Sequence, residues 1–178
     1  MANKRLRRDF SRAEVEALLS YDPSSGILRW RIETHGRGGK ILPGDPAGTP
    51  HQGYTQIKLF GLVYRAHHLA WLIMTGDWPD LALDVEHKDR NRANNAWNNL
   101  RYATRSQNNM NAGVRRDSRS GCRGVSFVSK TCKWHARIIV DGKVTLLGNF
   151  ADVADAIAVR RRAEQQHFGA FAPAEQRA

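Results

Sequence analysis

The stretch LDVEHKDRNRANNAWNNLRYATRSQNN, residues 83–109, decides the fold expected for this chain. Residues 84–86 predict a short strand, and residues 99–103 predict a second one. The residues between them, 88–98, are polar and rich in Asn, which is typical of a loop. Thr104 is followed three residues later by Gln, the spacing of a capping box, so a helix is predicted to start there. The predicted order is strand, loop, strand, helix.

Side chains suited to phosphodiester hydrolysis occur along this stretch. Glu86 and His87 are adjacent where the first predicted strand ends, and several Asn residues follow. Carboxylate and amide oxygens are hard ligands that suit Mg²⁺ or Mn²⁺. A neutral imidazole can take a proton from water, because its ordinary pKa lies near working pH. Together with an ion that stabilises charge on a phosphate and its leaving oxygen, these groups could hydrolyse a phosphodiester.

Four separated motifs of this region resemble the HNH endonucleases, specifically their ββα-metal subgroup. The motifs are AHHLAW at 66–71, VEH at 85–87, NNL at 98–100 and TRSQNN at 104–109. The resemblance implies that His87 is the general base and that Glu86 and Asn108 hold one divalent ion, Mg²⁺ or Mn²⁺. It puts Asn99 at the middle Asn of the motif, which pins the loop to the helix. It puts His67 at the upstream His of the active site.

The resemblance leaves two assignments open. The subgroup usually has Asp where this chain has Glu86, and the extra methylene moves the carboxylate outward by about one bond, which could change metal preference. Asp84 is the alternative ligand, on the same side of the strand but farther from His87. His67 has two interpretations: a group that approaches the scissile phosphate, or a buried His that is hydrogen-bonded to the backbone. His68 stands where the family often has Arg.

Upstream of this region the sequence predicts a small α+β scaffold. Ser11 and Glu14 have capping-box spacing, which predicts a helix over residues 11–20. The next predicted features are a turn at 22–26, a strand at 27–31, a Gly- and Pro-rich loop at 35–50, a hairpin at 53–64 that turns at Phe60-Gly61, and a helix at 66–75 stopped by Gly76.

Downstream, residues 111–121 read as a basic linker to a second module. Its predicted elements are strands at 122–128, 133–140 and 143–147, a two-residue turn at Asp141-Gly142, and a helix at 151–166. Alternation in the middle strand puts Lys133, His135, Arg137 and Ile139 on one face and apolar residues on the other. The helix residues Arg160, Arg161 and Arg162 are expected to be mostly solvated.

This second module resembles the APETALA-type (ethylene-response-factor) DNA-binding domain. The motifs are RGV at 123–125, KWHARI at 133–138, LGNF at 147–150 and FG at 168–169. The resemblance implies a sheet that enters the major groove of DNA, with Trp134 in the core. The sequence departs from that family at Ser126, Val128, Ile139, Val144 and Leu146, where the family often has Arg or Trp. The residues predicted to bind DNA are Arg101, Arg105, Arg115, Arg116, Arg123, Lys133, His135 and Arg137.

Composition restricts the functional classes. The 178 residues include 28 Lys and Arg against 17 Asp and Glu, a formal net charge of +11 that favours a polyanionic partner. Residues 101–143 alone contribute +8. The apolar runs are too short for a membrane span, and the basic N-terminus has no apolar stretch behind it, so neither anchor nor secretory signal is expected. Two Cys exclude a disulfide framework and a four-cysteine zinc site. We expect a protein of the cytoplasm, bacterial or of a phage-infected host.

The sequence therefore predicts an α+β, metal-dependent DNA endonuclease, a homing-type nickase or double-strand cutter. The predicted parts are a scaffold with the HNH motif at 1–110, the linker at 111–121, the DNA-binding module at 122–172 and a tail at 173–178. Double-stranded DNA is the expected partner, without a membrane or a small-molecule cofactor, and a monomer is favoured. Two alternatives remain: a non-catalytic DNA-binding regulator that retains the fold, and an RNA-directed binder or nuclease, since basic charge does not choose a sugar.

Overall fold

The computed structural model describes residues 10–36, 38–114 and 117–173, and the α+β fold class is confirmed. The strands are β1 (Leu19–Tyr21), β2 (Leu28–Trp30), β3 (Thr34–Gly36), β4 (Gly39–Ile41), β5 (Thr49–His51), β6 (Tyr54–Leu59), β7 (Leu62–Arg65), β8 (Asp84–His87), β9 (Leu100–Ala103), β10 (Val125–Val128), β11 (Lys133–Val140) and β12 (Lys143–Phe150). The helices are α1 (Arg12–Leu18), α2 (Ala66–Thr75), α3 (Arg105–Met110) and α4 (Val153–Phe168).

The chain divides into two compact units, residues 1–104 and 105–178. This division falls at the start of α3, whereas the sequence predicted a linker at 111–121. The predicted domain bounds remain predictions. No helix of the described residues is both long enough and apolar enough to span a membrane.

The first unit begins with a capped helix that is shorter than predicted. The Ser11 hydroxyl accepts a hydrogen bond from the Glu14 backbone N–H, and the Glu14 carboxylate accepts one from the Ser11 backbone N–H, which confirms the capping box. The prediction that the helix continues to residue 20 was wrong. It ends at Leu18 because the next residues, Leu19–Tyr21, pair antiparallel with Leu28–Trp30.

The hairpin that leads to α2 is as predicted, but its surroundings are more regular. Phe60 and Gly61 have φ of 52° and 78°, as a two-residue turn with positive φ requires. The predicted loop at 35–50 was wrong in part, since β3, β4 and the start of β5 lie within it. Gly and Pro do not prevent short edge strands when a partner strand lies alongside.

Helix α2 is the centre of the first unit. Its Leu69 and Leu72 are buried with Val15 and Leu19 from the N-terminal elements and Ile57 from β6. A second cluster joins its Ala70 and Trp71 to Val85 of β8 and Leu100 of β9. Packing on both sides of the helix fixes the β8–β9 hairpin against it, and thus holds Glu86 and His87 near the N-terminal turn of α2.

The second unit is a three-stranded antiparallel sheet, ordered β10-β11-β12, packed on α4. The predicted turn is confirmed, with φ of 49° at Asp141 and 76° at Gly142. The predicted alternation in β11 is also confirmed, because Ala136 and Ile138 are buried while Arg137 is exposed.

The expectation that Arg160 is solvated was wrong. Its side chain is buried and forms an ion pair with Glu164 at 3.0 Å. The guanidinium also lies over the ring of Phe168, with Cζ 5.6 Å from the ring centroid. A basic run on a helix gives no sign of which member faces the sheet, so the sequence alone could not assign this one. Arg161 and Arg162 are exposed, as expected.

Candidate active site

The carboxylate of Glu86 lies near the end of β8, and its two oxygens have different surroundings. Glu86 is opposite Arg101 in the β8–β9 register, and Arg101 Nη2 lies 2.5 Å from Glu86 Oε1. Directly opposed side chains of opposite charge pair readily in an antiparallel hairpin. The other oxygen, Oε2, is buried and has no hydrogen-bond partner among the described residues. A buried carboxylate oxygen without a partner is costly unless a cation or donor occupies the space beside it.

The imidazole of His87 has a defined tautomer. Its Nε2 lies 3.1 Å from Oδ1 of Asn95, and the amide group of Asn95 donates from Nδ2 to the carbonyl of Ala93, also at 3.1 Å. That second bond fixes which amide atom is the oxygen, so Nε2 of His87 must carry the proton and donate. The basic lone pair of the neutral ring is therefore at Nδ1.

Burial keeps this imidazole neutral. It lowers the pKa of His87 below its ordinary value of 6.5, and the hydrogen bond to Asn95 opposes the shift without cancelling it. The ring is consequently unprotonated near neutral pH, the state in which it can accept a proton.

Asn99 holds the loop between β8 and β9 in shape. Its amide donates to Oδ1 of Asp89 at 2.9 Å and to the carbonyl of Asn94 at 2.8 Å, while its Oδ1 accepts the Asp89 backbone N–H at 3.1 Å. Burial of the Asp89 carboxylate acts to raise its pKa, but hydrogen bonds from Asn94 and Asn99 outweigh burial and lower the pKa of Asp89. The partners of Asn99 in these bonds, Asp89 and Asn94, both lie in the loop, whereas the resemblance implies bonds that pin the loop to the helix.

The hairpin β1–β2 supports the same loop from outside. The hydroxyl of Tyr21 donates to the carbonyl of Asn95 at 2.7 Å, and the Trp97 backbone N–H donates to the carbonyl of Pro23 at 2.9 Å. A Cβ on Gly26 would lie 2.2 Å from the backbone of Asn95 and Ala96. The backbone that carries Asn95 is therefore seated on the turn at residues 22–26.

His67 lies in the first turn of α2 and is almost fully buried, with 1% of its surface exposed. Its ring centroid is 4.9 Å from that of His87, in an edge-to-face arrangement. Burial, with the nearby positive charge of Arg65 among the lesser causes, lowers the pKa of His67 to about 2. Its Nδ1 has no hydrogen-bond partner among the described residues. The sequence offers two interpretations of His67, a group near the scissile phosphate or a buried His bonded to the backbone. His67 is buried, but its Nδ1 makes no bond to the backbone among the described residues.

The available donors suit a hard divalent ion. Glu86 Oε2 is a buried carboxylate oxygen without a partner, and Asn108, a predicted ligand, offers an amide oxygen. In the described part of the chain, no cluster of three His, Cys, Asp or Glu side chains could hold a metal by itself. Glu86 belongs to the first unit and Asn108 to the second. Their joint coordination remains a prediction.

The residues predicted to bind DNA have different environments. Arg105, Lys133 and Arg137 are exposed, and His135 is half-buried. Arg123 is exposed and donates from Nη1 to the carbonyl of Asn109. Arg101 is engaged with Glu86 and its side chain is 15% exposed. Arg115 and Arg116 lie outside the described residues.

Sequence reasoning missed four residues around His87. Asn95 lies in the Asn-rich loop for which the sequence predicts no site role, yet its Oδ1 lies 3.1 Å from Nε2 of His87. Tyr54, Arg65 and Arg92 were not singled out, yet the ring of Tyr54 lies 6.1 Å from that of His87 and both guanidinium groups lie over the Tyr54 ring. A signal for Asn95 was present, since it stands eight residues after His87 within the quoted stretch. No local pattern could bring Tyr54 to His87, because they belong to different sheets.

Comparisons with known proteins agree with the character of this region. Residues 64–110 match the model of the HNH endonuclease family, a range that includes Glu86, His87 and Asn108. The match does not extend to the C-terminal sheet. Protein 3.8 of Escherichia phage T7 is 28% identical over 117 residues, which are 65% of this chain and 93% of that protein.

A solved structure titled "DNA binding and cleavage by the HNH homing endonuclease I-HmuI" is also similar. It is 26% identical, with a TM-score of 0.38, and the similarity covers 72% of this chain and 71% of that one. Residues 64–110, which match the HNH endonuclease model, lie in a chain of α+β fold.

Proposed function

We propose that this chain is a metal-dependent endonuclease that hydrolyses phosphodiester bonds of double-stranded DNA. The observation that carries the proposal is the neutral, oriented imidazole of His87 beside the half-satisfied carboxylate of Glu86, inside the segment that matches the HNH endonucleases. A general base and a hard anionic ligand at adjacent positions are what this hydrolysis requires.

In this proposal His87 is the general base. Its Nδ1 takes a proton from the attacking water, and the hydrogen bond from Nε2 to Asn95 keeps the ring in the required tautomer and stabilises the imidazolium that forms. The role of Asn95 is to position the base, and Asn99 acts one step further away by holding the loop. His67 forms the buried floor beside His87.

Glu86 Oε2 and the amide oxygen of Asn108 would hold the divalent ion, Mg²⁺ or Mn²⁺. When bound, the ion would supply charge stabilisation at the phosphate and the leaving oxygen. Arg101 keeps Oε1 of Glu86 engaged and so leaves Oε2 as the oxygen for the ion. The expected products carry a 3′-hydroxyl and a 5′-phosphate, on one strand for a nickase or on both for a double-strand cutter.

The C-terminal sheet would supply DNA affinity. Its solvent face presents Lys133 and Arg137, and α4 covers the opposite face. Arg and Lys side chains on an open sheet face can reach phosphates and base edges in the major groove. We propose that this module is an APETALA-type DNA-binding domain. Its three-stranded sheet and single long helix support the proposal.

The test is relaxation of supercoiled plasmid in Mg²⁺ or Mn²⁺ by the full chain, compared with His87→Ala. We expect the parent to cleave, EDTA to abolish cleavage, and His87→Ala to lower the rate by at least about 100-fold. A denaturing gel with each strand labelled separates a nick from a double-strand break. Equal rates for the parent and His87→Ala would overturn the assignment of the base.

A second candidate, a DNA-binding regulator without catalysis, is favoured by one observation. The Arg101 guanidinium already neutralises much of the Glu86 charge, and a fixed cation beside a carboxylate opposes binding of another cation. This candidate predicts DNA binding by the parent without cleavage in either metal. It also predicts that Glu86→Asp, which draws the carboxylate back toward the strand, creates cleavage where the parent has none.

A further inference from the structure

We propose that Arg65 and Arg92, held by the ring of Tyr54, form a binding site for a backbone phosphate of the DNA strand that is cut. The inference rests on the proposed endonuclease function, since it names how the strand is held beside His87. Arg65 and Arg92 lie within the range 64–110 that matches the HNH family, whereas Tyr54, which holds them, lies outside it.

Two cations converge on one aromatic ring. The guanidinium carbon of Arg65 lies 4.4 Å from the centroid of the Tyr54 ring, and that of Arg92 lies 4.8 Å from it. Both distances are within the range of cation–π attraction. Arg65 ends β7 and Arg92 lies in the β8–β9 loop, so residues far apart in the chain have been brought to one ring.

The same ring borders the proposed base. The Tyr54 centroid is 5.4 Å from that of His67 and 6.1 Å from that of His87. Because Arg65 and Arg92 both lie over this ring, the two cations share it with the two histidines of the proposed site.

Within the described residues neither guanidinium forms an ion pair with a carboxylate. Arg92 donates weakly from Nη1 to the carbonyl of Gln52 at 3.4 Å, and both side chains are exposed. Two like charges on one ring repel each other, and an anion between or beside them removes that repulsion. A phosphate is the anion that a nuclease site must hold, and guanidinium groups match its oxygens geometrically.

Tyr54 is a positioning residue in this site. Its π face attracts both cations and limits the directions that two long, exposed side chains can take. The phenol oxygen is not required for this role, so Phe should replace Tyr54 whereas an aliphatic residue should not. The half-buried position of Tyr54 on β6, a strand inside a three-stranded sheet, provides a rigid base.

The experiment measures single-turnover cleavage of a labelled duplex in Mg²⁺, and binding of the same duplex by fluorescence anisotropy in EDTA over a range of salt. The variants are Arg65→Gln, Arg92→Gln and the double variant. Arg12→Gln is the control that matches each single variant in charge, because Arg12 pairs with Glu16 on the exposed side of α1. Thermal melts confirm that each variant folds.

We expect the double variant to cleave about 100-fold more slowly at saturating protein, as for loss of a charge-stabilising donor in an active site. The slope of log K against log salt should decrease in magnitude by about 1 to 2 in the double variant. Arg12→Gln should match the parent in both measurements. Tyr54→Phe should retain the cleavage rate within about threefold. Tyr54→Leu should cleave about tenfold more slowly than the parent, although its melting temperature should equal that of Tyr54→Phe.

The outcomes separate the two proposals. A parent that binds DNA but never cleaves overturns the endonuclease function, and the binding arm then still tests the phosphate site. A parent that cleaves while the double variant behaves as Arg12→Gln overturns the phosphate site alone. Equal cleavage by Tyr54→Phe and Tyr54→Leu overturns the positioning role of the ring.

Discussion

At the scale of single residues, Asn95 is the side chain that hydrogen-bonds the imidazole of His87. The bond from Nδ2 of Asn95 to the Ala93 carbonyl fixes the orientation of the amide. The amide oxygen then faces His87, so Nε2 of His87 carries the proton. Neutral histidines interconvert their tautomers in water, so an imidazole without a fixed neighbour would present the wrong nitrogen for part of the time. If His87 is the base, as proposed, this arrangement would direct its Nδ1 at one water.

Asn95→Ala should therefore lower the cleavage rate by about 10- to 100-fold, the usual cost of losing a group that orients a site histidine. The rate is measured by plasmid relaxation under saturating protein. Asn98→Ala is the matched control, because Asn98 is an exposed neighbour on the same loop and should leave the rate unchanged. Similar losses in both variants would show that loop stability, and not His87 orientation, determines the rate.

His67 should make stability depend on pH. Burial lowers its folded pKa to about 2, whereas the unfolded chain has the ordinary value of 6.5. The unfolded state thus binds more protons below pH 6.5, so this contribution is complete above that value and is lost as pH falls toward 2. Between pH 7 and pH 5 we expect the free energy of unfolding to fall by about 2 kcal/mol, measured by urea denaturation. The free energy of unfolding of His67→Phe should fall less over the same pH range. An equal decrease in both proteins would mean that other groups cause the effect.

At the scale of elements, the turn at residues 22–26 acts as a support for the loop that carries Asn95. Asp22 accepts hydrogen bonds from Ser24 and Ser25, which stiffen the turn, and the Ser25 bond is the main cause that lowers the pKa of Asp22 to about 2. Gly26 has φ of 74° and lies directly against the backbone of residues 95 and 96. Both the conformation and the close approach require Gly at this position.

Gly26→Ala should destabilise the protein and reduce cleavage together, because the new methyl group must displace the Asn95 backbone. Gly44→Ala is the control, since Gly44 also has positive φ, 93°, but open space where its Cβ would stand. We expect Gly44→Ala to cost about 1 kcal/mol from backbone strain and Gly26→Ala at least about 2 kcal/mol more. Thermal unfolding and plasmid relaxation measure the two effects; equal melting temperatures would contradict the close approach.

At the scale of the whole molecule, most of the excess positive charge lies in one unit, and the residues proposed for catalysis, Glu86 and His87, lie in the other. Residues 105–178 contain thirteen Lys and Arg against six Asp and Glu, a net +7, whereas Glu86 and His87 belong to the first unit. An excess of charge on one unit favours binding to DNA by counterion release, which does not depend on catalytic groups. Affinity and catalysis should therefore respond to different substitutions.

Arg137→Gln should weaken DNA binding and reduce the slope of log K against log salt by about 0.9, while the rate at saturating protein stays unchanged. Arg161→Gln is the control, because Arg161 is also exposed but belongs to α4, which packs on the other face of the sheet from Arg137. Anisotropy titrations at several salt concentrations give both slopes. The same decrease for Arg161→Gln would mean that overall charge, and not the solvent face of β11, binds DNA.

The sequence by itself determined the local features of this protein. Capping at Ser11, the turns at Phe60-Gly61 and Asp141-Gly142, and the alternation of β11 follow from interactions within a few residues, and all of them are present. The order of β8, loop and β9 with His87 at the strand end was predictable for the same reason.

The tertiary structure alone decided which groups meet. Arg101 is turned to Glu86 by cross-strand register, Arg160 is buried beneath the sheet, and Tyr54 stands beside His87. These contacts join residues that are distant in the chain or that look equivalent to their neighbours, and they depend on how buried faces of separate elements pack. Periodicity shows which side of an element is apolar, but it does not show what that side will touch, because packing is a property of two surfaces together.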